Sequence, residues 1–198
     1  MTQLRELLSN DSPDIQAISS HLDALDPETR LAEVRSLGKA HQRRLFDAAS
    51  GFLPLDLDYF VPADQAPMTE VVHYGKNSLG IFTHFAKVFV RPDGDDASKG
   101  ELWGYNRNSW FLETFVGPGY FVALPYTRDG EVVIDYRRVP PRKPEAWPKI
   151  LTNSQRLSVV VYNGMEDVMR GVSKHVSIGR ATKAGKELNN WFVLCREA

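Results

Sequence analysis

The sequence predicts an α+β fold, in which short N-terminal helices precede an antiparallel sheet of about five strands with one long amphipathic helix packed on it. Three observations lead there. Between Leu102 and Tyr136, runs rich in aromatic and β-branched residues, such as Tyr120-Phe121-Val122 and Val132-Val133-Ile134, are closed by Gly, Pro, Asn or Asp. Twisted antiparallel strands and their turns require that composition. From Leu157 to Val172, the residues Leu157, Val160, Val161, Met165, Val168, Met169 and Val172 recur at three- and four-residue steps, which gives a helix one apolar stripe. Strand-like and helix-like stretches are also segregated along the chain, which argues against a doubly wound parallel sheet.

Residues 1–52 read as a helical annex. Ser12-Pro13 and Asp26-Pro27 each place a capping side chain before a proline at the first helical position. Ile15, Ile18 and Leu22 give the first of these helices an apolar edge, and Leu31, Val34 and Leu37 do the same for the second. A third carries Leu45 and ends near Gly51. None is long, so each must dock to persist in water. Residues 53–198 then form the sheet domain. Its first stretch holds Pro54, Pro62 and Pro67 and cannot sit in a central strand. Leu53, Leu55, Tyr59 and Phe60 make it too apolar for a free linker, so it is expected to run along the core.

Between Leu79 and Val90 two periods compete. Phe82, Phe85, Ala86 and Phe89 fit a helix face, whereas Ile81, Thr83, Phe85 and Phe89 fit a strand. Lys87 would break the inward face of the strand, and that tips the reading towards a helix. The Leu157–Val172 stripe has its own flaw: Asn163-Gly164 costs a helix about 1 kcal/mol or more relative to alanine. After Ser173 the period becomes two, and His175–Thr182 with Trp191–Cys195 reads as a closing hairpin.

Composition narrows the function classes. Hydrophobic residues at 42% and charged residues at 25% of 198 are ordinary for a globular chain with a full core. Cys195 is the only cysteine, so no intramolecular disulfide and no Cys-based zinc site can form, and a reducing, cytoplasmic home is expected. The N-terminal apolar run is interrupted by charge and no stretch reaches membrane-span length, so neither export nor membrane insertion is expected. Residues 1–58 are rich in acids and residues 137–186 in bases. Those bases are scattered over a proline loop, the stripe and the hairpin, whereas nucleic acid is usually met by a basic stripe on one element with stacking aromatics. Nucleic-acid binding is therefore disfavoured.

No phosphate-binding, zinc-protease or nucleophile-elbow motif is present, no metal site is assigned, and no cofactor is identifiable. The leading expectation is binding of a small molecule, anionic in one version, or of a partner, in a cavity between sheet and helix. Tyr105, Trp110, Tyr120, Tyr162 and Met165 would line it, as apolar bodies with polar tips do in many pockets. Arg137, His175 or Arg180 would answer an anionic group. The alternative is an enzyme that uses His175 as general acid or base, oriented by Asp135 and assisted by Tyr105. Asp135 ends an apolar strand, where an inward carboxylate would cost several kcal/mol unless Arg137, Arg138, His175 or Arg180 paired with it. His73 and His84 are further candidates if the histidines converge. A third reading is a protein-interaction module that docks a neighbour through the acidic N-terminal helices.

Overall fold

In the computed structural model, which describes residues 2–80, 83–107, 119–127, 130–150 and 164–197, eight antiparallel strands each pair with the next and the last pairs with the first. They are β1 (Val71–Asn77), β2 (His84–Val90), β3 (Leu102–Arg107), β4 (Tyr120–Pro125), β5 (Val132–Asp135), β6 (Met165–Gly171), β7 (Val176–Lys183) and β8 (Lys186–Arg196). Pairs such as Tyr74 with Cys195 close the ring. The fold is thus an up-and-down β-barrel, and the expected α+β sheet of five strands under a long helix is incorrect. Among the described residues, closure leaves no sheet edge.

Two misread segments account for the difference. Met165–Gly171 is strand β6, paired with β5 and β7; the residues from Leu157 to Asn163 lie outside the described residues. Met165, Val168 and Met169 satisfy a helical spacing, but in the strand Met165 and Met169 face the barrel interior and Val168 the outer wall. With Asp167 inside and Val168 outside between Glu166 and Arg170, the strand shows no clean period of two. His84–Val90 is β2, not helix, because the interior does accept Lys87.

Helices α1 (Gln3–Ser9), α2 (Ile15–Ala24), α3 (Pro27–Ser36), α4 (Lys39–Ala48) and α5 (Leu57–Phe60) precede the barrel. Asp14 and Asp26 cap α2 and α3 by accepting from backbone N–H groups in their first turns. The helices dock on the outer wall: Leu4, Leu8, Leu22, Val34 and Leu45 share one buried cluster with Val176, Ile178, Val193 and Cys195 of β7 and β8. A second outer cluster sets Trp147 against Val88, Trp103, Tyr105, Tyr120 and Val122. Among the described residues no helix is long and apolar enough to cross a membrane.

The interior core is separate. Phe89, Leu102, Phe121, Ile134, Met169, Phe192 and Leu194 fill the barrel. Small residues opposite large ones make this possible: a Cβ at Gly104 or Gly179 would come within 2.3 Å of the Phe121 or Phe192 ring. One end is plugged by the 53–61 segment. Leu53 bridges to Gly171, Asp56 caps α5 through the Tyr59 N–H, and the helix drives Phe60 inward against Phe89, with ring centroids 5.1 Å apart. His73 donates from Nε2 to the Phe60 carbonyl at 3.0 Å, which holds the plug to β1.

Burial pushes the His73 imidazolium down to a pKa of about 3, only partly opposed by its bond to Phe60. A folded value below the unfolded one means that the unfolded chain binds the extra proton. The stability that neutral His73 contributes is therefore present above about pH 6.5 and is lost towards pH 3, by up to about 1.4 kcal/mol per pH unit. Urea unfolding between pH 7 and 4 should show this decline in the wild type and a shallower one in His73→Phe. Identical slopes would count against the buried neutral ring.

Candidate functional site

Strand parity sends alternate side chains inward. On β2 these are Phe85, Lys87 and Phe89; on β3, Leu102, Gly104 and Asn106; on β6, Met165, Asp167 and Met169. Lys87 pairs directly with Asn106 across the β2–β3 ladder, and Tyr136 follows β5 with its N–H bonded to the Met165 carbonyl. Four polar side chains from four strands or strand ends thereby meet inside a mostly apolar barrel.

Lys87 is 2% exposed and Asp167 5%. The lysine Nζ donates to Asn106 Oδ1 at 2.9 Å, to Asp167 Oδ2 at 3.2 Å and to the Tyr136 hydroxyl. All three ammonium hydrogens are used. The Tyr136 hydroxyl also accepts from Asn106 Nδ2 at 3.1 Å and donates to Asp167 Oδ2 at 3.0 Å. Asp167 Oδ1 makes no hydrogen bond to any described residue. Rings surround the cation: Phe192, Tyr136, Phe121 and Phe85 have centroids 4.8, 5.0, 5.1 and 5.6 Å from Nζ. Burial still holds the lysine pKa below its ordinary value, with the Asp167 charge and hydrogen bond pulling the other way. A buried ion pair of this kind stabilises a fold little more than an apolar pair of the same volume would.

The cluster forms the floor of a pocket of about 150 Å³ at the end of the barrel opposite the α5 plug. Phe85, Met165, Ala181 and Phe192 make its walls, and Asn77 and Asn190 stand at its mouth. Leu79, also at the mouth, is the one large apolar side chain left exposed among the described residues, at 49%.

The residues expected from sequence to form a site are dispersed. Met165 does line the pocket. Tyr105 and Tyr120 lie on the outer wall, their rings 4.8 and 6.0 Å from Trp147; Arg107 Nε donates to the Tyr105 hydroxyl, and the Tyr120 hydroxyl donates to the Pro148 carbonyl. Asp135 faces outward and is paired with Arg137 at 2.9 Å, which also reaches Glu166 at 2.5 Å. Arg180 pairs with Glu187 at 2.6 Å and lies over Trp191. Trp110 and Tyr162 lie outside the described residues.

His175 is not brought to Asp135. Asp135 pairs with Glu166, Glu166 with Thr182, and Thr182 stands seven residues along the chain from His175, so the two are roughly 20 Å apart at about 3.3 Å per strand residue. His175 instead borders a groove with Arg196 and Glu197 at the plugged end. Among the described residues no group of His, Cys, Asp or Glu could hold a metal.

Sequence reasoning placed none of Lys87, Asn106, Tyr136 and Asp167 in a site; Lys87 entered only as an argument against the strand it occupies. A signal was present. Lys87 lies between Phe85 and Phe89 on one parity, and Asp167 lies between Met165 and Met169 on one parity. Two opposite charges at inward positions of two strands are the pattern of a buried pair.

Comparison with protein families, with curated proteins and with solved structures finds no match to this chain. The chemistry of the site therefore has to be read from its own geometry.

If Lys87 and Asp167 neutralise each other, removing one leaves a buried charge, and removing both does not. Lys87→Met and Asp167→Leu should each cost about 3–5 kcal/mol in urea unfolding, while the double variant recovers most of that loss. Simply additive losses would mean that the pair is not coupled.

Proposed function

We propose that this protein binds one small, uncharged, largely apolar molecule in the open mouth of the barrel, its polar end resting on the Lys87–Asp167–Tyr136–Asn106 floor. The observation that carries this reading is a pocket, open among the described residues, built around a buried, mutually neutralised ion pair. Size supports it: a cavity of about 150 Å³ accommodates roughly one benzene ring. Charge supports it as well. Lys87 and Asp167 sum to zero, so a ligand with a net charge would lose its hydration without gaining a counter-charge.

The polar end can be a hydroxyl, an N–H or a carbonyl. Asp167 Oδ1 is available as an acceptor, and the Lys87 and Tyr136 hydrogens can be re-aimed. Arg137 and Arg180 are occupied by carboxylates on the outer wall, so they do not support an anionic ligand at this pocket. An apolar pair would serve the fold about as well, so the polar floor is better explained by what it meets at the mouth.

Benzyl alcohol is a suitable probe of size and polarity. Ligand-observed NMR should detect its binding to the wild type, and Ala181→Trp, which fills the mouth, should abolish it. Tyr105→Phe on the outer wall should leave it unchanged. Binding that survives Ala181→Trp would place the ligand elsewhere and overturn the reading.

A further inference from the structure

We propose that Lys87 captures small aldehydes as an imine, so that the pocket acts as a carbonyl-reactive site. This inference rests on ligand binding at the mouth and adds the chemical class of the ligand.

Four features of the interior support it. Lys87 is the only buried lysine among the described residues; Lys183, opposite Met165 on β6, shares the inward parity but is exposed at the rim, and Lys76 faces outward and donates to the Arg35 carbonyl. An ion pair serving only to fill space between Phe85, Phe121 and Phe192 could be replaced, both partners together, by apolar side chains at little or no net cost. The amine also has its proton acceptor in place: Asp167 Oδ2 lies 3.2 Å from Nζ, and the Tyr136 hydroxyl touches both. Finally, an iminium carries the same single positive charge as the ammonium, so it keeps the ring cage and the Asp167 partner.

The step balances with these groups alone. Asp167 takes one proton from the ammonium, and the freed amine attacks the carbonyl carbon, forming the C–N bond. A second proton passes from nitrogen to the former carbonyl oxygen by way of the Tyr136 hydroxyl, giving a carbinolamine. Asp167 then returns its proton, again through Tyr136, to the carbinolamine hydroxyl. Water leaves as the nitrogen lone pair closes the C=N bond. One ammonium and one aldehyde become one iminium and one water, and no oxidant or reductant is consumed.

The full-length protein is treated with benzaldehyde and sodium cyanoborohydride, which reduces an iminium to a stable benzylamine, and the modified lysines are mapped by peptide mass spectrometry. Lys87 should acquire its benzyl group at least about tenfold faster than the exposed Lys39, Lys183 and Lys186, as expected of a desolvated lysine beside its base. Ala181→Trp should suppress Lys87 labelling and spare the exposed lysines. Tyr136→Phe keeps the ring cage and removes the proton relay, so it should slow Lys87 labelling by about tenfold. Labelling confined to exposed lysines, in a protein that still binds benzyl alcohol, would overturn the imine and leave ligand binding standing. Failure of both Lys87 labelling and benzyl alcohol binding would remove both readings.

Discussion

An ammonium group enclosed by eight strands has to find its counter-charge inside the wall, and much of the barrel interior is arranged to meet that demand. Lys87 draws Asn106 from the facing strand, Asp167 from β6 and Tyr136 from the end of β5. These partners lie on strands that are not neighbours of β2, apart from β3, so they meet only because the sheet closes on itself. The ion pair and the closed topology are thus one constraint. Aromatic rings complete the enclosure, and glycine at positions 104 and 179 leaves the room those rings need.

The two ends of the barrel then differ for physical reasons. At one end the proline-punctuated segment after α4 turns inward, and Phe60, His73 and Phe89 stack into a seal. From there an aromatic column runs through Phe121 to Tyr136, with centroids 5.2 and 5.6 Å apart, and ends in the polar cluster at the Tyr136 hydroxyl. At the other end the column stops and a pocket begins. The N-terminal helices play no direct part in it; they cover the outside of β7 and β8, where an uncovered apolar wall would otherwise face water.

Much of the architecture was legible in the chain. The strands between Leu102 and Tyr136 carry β-branched and aromatic runs with turn residues at their ends, and the hairpin after Ser173 alternates openly. Asp26-Pro27 marked the start of α3, whereas α2 starts two residues later than Ser12-Pro13 suggested, with Asp14 as its cap. What resisted reading was the inward side of the barrel. Period-two reasoning treats a charge at an inward position as an error, so Lys87 argued against the strand it occupies. Its partner Asp167 lay inside a stripe whose methionines and valines mimic a helix, because β6 carries an acid, Asp167, on its apolar inner face and a valine, Val168, between Glu166 and Arg170 on its outer face. Asp135 drew attention as the visible strand-end carboxylate, yet parity turns it outward to Arg137. Aromatic residues could not be sorted into core, outer wall and pocket, since all three make the same demand on composition. The pairing of β2 with β6 residues across the interior is a property of closure, which no local window contains.

The ion pair, the ring cage and the pocket floor all require the Lys87 side chain to lie inside the barrel. NMR of the protein with selectively labelled lysine tests this directly. Lys87 methylene protons should be shifted upfield by ring currents, with nuclear Overhauser contacts to the Phe121 and Phe192 rings. Methylene protons at the positions of solvent-exposed lysines, with no contact to either ring, would contradict it.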